Sequence, residues 1–118
     1  MPLTVLVVED DFLIAEDLRM SLDGLGWGVI GPAPSVAAAM LYLEQMRPSV
    51  AVLDMRLRSE MVTPVALALR DRQIPFVMSS SYVDLEALGG EAFIGILNVG
   101  KPCSHRRLHQ ALLDAINS

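Results

Sequence analysis

A single cysteine, Cys103, stands in the 118 residues, which excludes a disulfide within the chain and any cysteine-rich zinc cage, and fits a reducing compartment. Charge is scarce as well. Charged residues make up 19% against a usual ~25%, and hydrophobic residues reach 53%, so the mass of the chain is packed core and not disordered tail. Nine bases face 14 acids, a net charge of -5, and the electrostatic grip that DNA or RNA binding needs is missing. No basic segment precedes the acids that begin at Glu9, so the start does not read as a signal peptide and a cytoplasmic address is expected. Residues 24–43 carry no charge, yet Gly24, Gly26, Gly28, Gly31, Pro32 and Pro34 interrupt any membrane-length helix there. The length suits one domain of ~100–150 residues.

What is present is an alternation of strands and helices. Leu3–Val8 is a β-branched run that stops at Glu9-Asp10-Asp11, the pattern of a strand buried on both faces. Ile14, Leu18, Leu22 and Leu25 then recur at helical spacing, with Asp10 or Asp11 placed to cap the helix and Gly24 and Gly26 to end it. The same unit repeats four more times. Trp27–Ile30 is a short strand, Pro32 and Pro34 make a turn, and Ser35 caps a helix with Val36, Met40 and Leu43 on one face. Val50–Leu53 is a third strand, ended by Asp54, and a helix over roughly 61–72 holds Pro64 in its first turn. Phe76–Met78 runs into Ser79-Ser80-Ser81-Tyr82, a fourth helix follows Asp84 and is cut short by Gly89-Gly90, and Ala92–Val99 contains a fifth strand. Ser104 caps a last helix with Leu108, Leu112, Ala115 and Ile116 on one face. Such an alternation implies right-handed crossovers and a mainly parallel sheet covered on both sides, with its site at the carboxyl ends of the strands.

At those ends stand Glu9 and Asp10, Asp54, Ser80 and Lys101. Carboxylates converging on one edge repel unless a cation sits among them, and oxygen-only ligands suit Mg2+ completed by water and a phosphoryl oxygen. Lys101 and Ser80 supply a positive charge and a hydroxyl suited to the oxygens of a transferred phosphoryl group. Any one of these acids alone is better explained as a helix cap or a solvated loop residue. Four matching strand ends in order carry the phosphoryl-accepting reading.

With these pieces in place the chain resembles the receiver domain of two-component response regulators along all of residues 1–118, through Val7–Asp10, Leu53–Arg56, Ile74–Ser80 and Lys101-Pro102. The resemblance implies an α/β fold, a five-stranded flavodoxin-like doubly wound parallel sheet of order 2-1-3-4-5 with helices on both faces. It implies Asp54 as phosphoacceptor and Asp10 as a direct Mg2+ ligand, with Glu9 acting through water and Arg56 through its backbone carbonyl. Ser80 takes the switch hydroxyl role, Lys101 binds the phosphoryl group, and the Lys101-Pro102 peptide is cis. The partners it implies are a sensor histidine kinase or phosphotransfer protein and a downstream protein. It also leaves room for a homodimer through the face built from the fourth helix, fifth strand and last helix. With no effector domain after Ser118, output is expected through protein contacts or phosphoryl relay. The family often has Tyr or Phe three residues before its lysine, where this chain has Asn98; coupling is then expected through the loop after Ser80, including Tyr82, with residues 80–90 reordering on phosphorylation.

Other readings are weaker. A Mg2+-dependent phosphohydrolase with an aspartyl nucleophile would want an acid two residues after Asp54, where Arg56 stands, so a protein that is phosphorylated without being a turnover enzyme is expected. A pseudo-receiver that binds partners without phosphorylation would have lost an acid or the lysine. Gly95–Lys101 imitates a Walker A loop, but Pro102 replaces its Ser or Thr, and Gly24–Gly28 precedes a strand where a dinucleotide loop would follow one. Cys103, His105 and His109 are more simply exposed helix residues beside Arg106 and Arg107 than metal ligands.

Overall fold

The computed structural model describes residues 3–81, 90–101 and 103–118. The elements run β1 (Thr4–Val8), α1 (Phe12–Gly24), β2 (Gly28–Ala33), α2 (Val36–Gln45), β3 (Val50–Leu53), a hairpin of β4 (Arg56–Leu57) and β5 (Glu60–Met61), α3 (Thr63–Asp71), β6 (Phe76–Met78), a 3-10 turn over Gly90–Phe93 and α4 (His105–Asn117).

Period-two alternation divides the strands between two cores. β1 sends Leu6 and Val8 into one apolar cluster and Val5 and Val7 into another. β3 and β6 divide alike, with Ala51, Leu53, Phe76 and Met78 on the first side and Val50, Val52 and Val77 on the second. α2 and α3 close the first side with Ala39, Leu43, Val65 and Leu69, and α1 and α4 close the second with Leu22, Leu108 and Leu112. Truncating one of these leucines to alanine costs ~2–5 kcal/mol. The caps fall where the sequence puts them. Asp11 accepts from the N–H groups of Leu13 and Ile14 at 3.0 and 3.1 Å, Ser35 from Ala38 at 3.1 Å and Ser104 from Arg107 at 3.1 Å.

All four main strands are parallel, in the order β2-β1-β3-β6. The flavodoxin-like order is therefore present, with one difference in strand count: among the described residues the fifth position is filled by a bridge from Asn98 to Met78 in place of a full strand. Two features prevent a full strand. Gly95 takes φ 74°, which breaks the extended run. Arg70 of α3 donates from Nε to Ala92 O at 2.7 Å and from its guanidinium to Ile94 O, so these carbonyls serve a side chain instead of a ladder. Ala92 and Phe93 are buried in the 3-10 turn that results.

Three smaller differences follow. β2 extends through Pro32 to Ala33, beyond the expected Ile30, which an edge strand tolerates because its outward side needs no N–H. The hairpin β4–β5 was not expected, since its tip at Arg58 carries no glycine or asparagine. The two histidines serve the fold. His105 Nε2 lies 3.0 Å from Asp17 Oδ2 on α1, and His109 Nδ1 accepts from the buried indole N–H of Trp27 at 2.9 Å. The fourth helix after Asp84, the role of Tyr82, the cis Lys101-Pro102 peptide and most of the 80–90 segment lie outside the described residues. No helix among the described residues is long and apolar enough to cross a membrane.

Candidate functional site at the strand ends

The pairings Val8 with Leu53 and Leu53 with Met78 bring three strands to one level, so the residues that follow them share an edge. The ladder continues briefly past the strands: Glu9 N–H donates to Ala33 O, Asp54 N–H to Val8 O and Ser79 N–H to Leu53 O, at 3.0, 2.9 and 2.9 Å. These bonds fix the backbone of each site residue independently of its side chain.

Lys101 crosses this edge from the far end of the sheet. Its Nζ lies 2.8 Å from Glu9 Oε1 and 2.9 Å from Asp54 Oδ2. Glu9 is 3% exposed, and its other oxygen accepts from Asp11 N–H at 3.2 Å. Burial pushes the Glu9 carboxyl up to about 7, against the Lys101 and Asp11 hydrogen bonds that hold it down, and the Asp54 charge adds to the rise. Burial alone would depress the Lys101 ammonium, but its bonds to Glu9 and Asp54 outweigh this and raise it. Asp10, freed from capping by Asp11, lies part-buried with Oδ2 3.9 Å from Arg58 Nε. One carboxylate oxygen from each of Glu9, Asp10 and Asp54 lies within 4.8 Å of the others. Such a set of hard oxygen donors fits Mg2+, which takes one or two carboxylates and keeps several waters. An open cleft of about 500 Å3 lies over these acids, walled also by Phe12, Leu13, Arg58 and Lys101.

Of the three serines after β6, Ser80 is buried at 1%, Ser79 is part-buried and Ser81 exposed. The side chain of Asn98 spans this segment. Its Oδ1 accepts from the N–H groups of Ser80 and Gly100 at 3.1 and 3.0 Å, and its Nδ2 donates to Ser80 O at 3.2 Å. Ser79 Oγ donates to Gly100 O at 3.4 Å. Arg56 opens β4 with an exposed side chain. Glu9, Asp10, Asp54 and Lys101 thus meet as the sequence anticipates. It gave no role to Arg58 and saw Asn98 only as the loss of a ring. A carboxamide three residues before the lysine, opposite a run of serines, was the signal available for Asn98.

The fold has counterparts of known structure. The signal receiver domain of a modulated diguanylate cyclase from Desulfovibrio desulfuricans is 27% identical, with a TM-score of 0.86 over 99% of this chain and 95% of that one. A response regulator receiver protein from Sinorhizobium medicae is 23% identical, with a TM-score of 0.84 over 99% of this chain and 96% of that one. The receiver domain of a sensor histidine kinase from Pseudomonas aeruginosa, with a magnesium ion coordinated in its active site cleft, is 19% identical at a TM-score of 0.85, each chain covered in full. No protein-family model and no curated protein matches the chain.

Proposed function

We propose that this chain, whose fold is that of response regulator receiver domains along nearly its whole length, is over residues 1–118 a single receiver domain acting as a phosphorylation-dependent signalling switch. One observation carries the reading: the Lys101 ammonium joins Asp54 to a buried second acid beneath an open cleft, so Asp54 lines that cleft between a cation and the carboxylate oxygens of Glu9 and Asp10.

In this reading a carboxylate oxygen of Asp54 attacks the phosphorus of a phosphohistidine on a histidine kinase or phosphotransfer protein. The new O–P bond makes an acyl phosphate, the P–N bond breaks, and the histidine nitrogen keeps the electron pair and takes a proton. Lys101 gives the phosphoryl oxygens a fixed positive charge and Ser80 a hydroxyl. Asp10 and Asp54 would hold Mg2+ directly, Glu9 through water and Arg56 by its carbonyl. Bound there, the ion supplies neutralisation of charge that builds on the phosphoryl oxygens. The magnesium in the cleft of the Pseudomonas aeruginosa relative supports Mg2+ as the ion, without bearing on which residues hold it. Output runs through protein contacts, in a cytoplasmic protein. Arg56 stands where a hydrolase would need an acid, so phosphorylation with slow loss is favoured over turnover.

Intact mass after incubation with acetyl phosphate and Mg2+ tests the reading. One added phosphoryl group is expected in the parent and none in Asp54→Asn. Equal incorporation in both would sink it.

A further inference from the structure

Arg58 occupies the tip of the β4–β5 hairpin with φ 55°, a left-handed conformation uncommon for a residue with a side chain. The hairpin that carries it is anchored from three sides. Met55 and Leu57 are fully buried, Val62 N–H donates to Met55 O at 2.9 Å, and Glu60 Oε2 accepts from Val36 N–H at 3.2 Å at the start of α2. From this fixed tip Arg58 Nε reaches to 3.9 Å from Asp10 Oδ2 while the side chain stays 81% exposed. Lys101 approaches the two neighbouring carboxylates from the protein side, within 2.8 and 2.9 Å of Glu9 and Asp54. The acids therefore lie between one cation held by the protein and one held from solvent.

We propose that Arg58 is a displaceable counter-ion of the site: it holds Asp10 while no divalent cation is bound, yields Asp10 to Mg2+, and then presents its guanidinium to the phosphoryl oxygens on Asp54. The proposal rests on the phosphorylation reading and deepens it. An exposed pair at this distance is weak, so a divalent cation displaces it at small cost. Arg58 lines the same cleft as Asp54 and Lys101, so the released guanidinium stays beside the phosphoryl group. Its planar fork matches two phosphoryl oxygens at once, which an ammonium cannot do. Lys101 is committed to the inner side of Asp54, leaving the solvent side to Arg58.

Arg58→Ala and Arg58→Lys of the whole chain separate the two roles. Titration with Mg2+ alone should show Arg58→Ala binding about twofold to fivefold more tightly than the parent, the fold-change of an exposed ion pair, with Arg58→Lys close to the parent. At saturating Mg2+, phosphoryl incorporation from acetyl phosphate should slow about threefold to tenfold in both variants, as loss of a charge-assisted bidentate contact predicts. Unchanged Mg2+ affinity in Arg58→Ala overturns the hold on Asp10, and parental incorporation by Arg58→Lys overturns the guanidinium contact. If the parent itself takes up no phosphoryl group, the phosphorylation reading falls with the second role, while the Mg2+ titration still decides the first.

Discussion

Asn98 and Ser80 exchange two hydrogen bonds, Ser80 N–H to Asn98 Oδ1 at 3.1 Å and Asn98 Nδ2 to Ser80 O at 3.2 Å, and Gly100 N–H shares the same Oδ1 at 3.0 Å. One carboxamide therefore joins the backbone of the candidate switch serine to the residue preceding Lys101. Where many receivers have an aromatic ring, this chain has a polar clasp between Ser80 and Gly100.

Removing the clasp should loosen both ends together. Asn98→Ala is expected to lower stability by about 1–3 kcal/mol, because two backbone N–H groups lose their acceptor, and to speed amide exchange at Ser80 and Gly100 in step. Asn98→Asp keeps the acceptor and should cost less. Urea midpoints with residue-resolved exchange check this, and exchange that rises at only one of the two residues would refute the joint clasp.

Stability without Mg2+ should fall between pH 5 and 7. Glu9 titrates near 7 in the folded chain and near its ordinary 4.5 when unfolded, so in that window the folded state binds the extra proton. The stabilisation is fully present below the unfolded value and is lost as pH rises through the folded one. Lys101 works at the other end: its raised value contributes stability that disappears only at alkaline pH. Urea midpoints at half-unit pH steps should show a decline of about 1–3 kcal/mol across the window. Glu9→Gln should flatten it, and an equal decline in that variant would assign the effect to another group.

The neighbouring aspartates should separate cleanly. Asp10→Asn is expected to weaken Mg2+ binding about tenfold or more with little change in stability, since its oxygen belongs to the proposed metal-binding set. Asp11→Ala should do the reverse, costing ~0.5–2 kcal/mol through loss of the α1 cap and leaving Mg2+ affinity near parental. Calorimetric titration and thermal melts on both variants suffice. Parental affinity in Asp10→Asn would move the metal elsewhere.

Trp27 supplies its own reporter. His109→Phe removes the acceptor from an indole N–H on a residue 4% exposed, which should cost about 1–3 kcal/mol and shift the emission of this one tryptophan. His109→Gln, which keeps an acceptor, should recover part of the loss. Equal destabilisation by both would mean that ring packing, not the hydrogen bond, holds α4 against Trp27.

The edge that gathers Glu9, Asp10, Asp54 and Lys101 was legible because each follows an apolar run, and alternating units dictate that such runs end together. What the sequence left open was decided by geometry finer than a pattern. Asp10 and Asp11 are chemically alike, and only the approach of the α1 N–H groups makes Asp11 the cap. Ser80 differs from Ser79 and Ser81 by burial alone. The Ala92–Val99 run looks extended by composition, yet the fifth strand is reduced to a bridge at Asn98 because Gly95 turns and Arg70, 22 residues earlier than Ala92, takes the carbonyl. Arg58 escaped notice because a hairpin tip with φ 55° normally signals itself through glycine or asparagine.

The division of β1 between two cores constrains how this protein can vary over evolutionary time. Leu6 and Val8 belong to one layer and Val5 and Val7 to the other, so deleting or inserting one residue in the strand would exchange both sets at once and press each against the wrong partners. Swaps among aliphatic residues of similar size leave that assignment intact and cost little. The lineage of such a chain is thus free to drift in composition along β1 but not in length, and gains or losses of residues are expected to accumulate in its connecting loops.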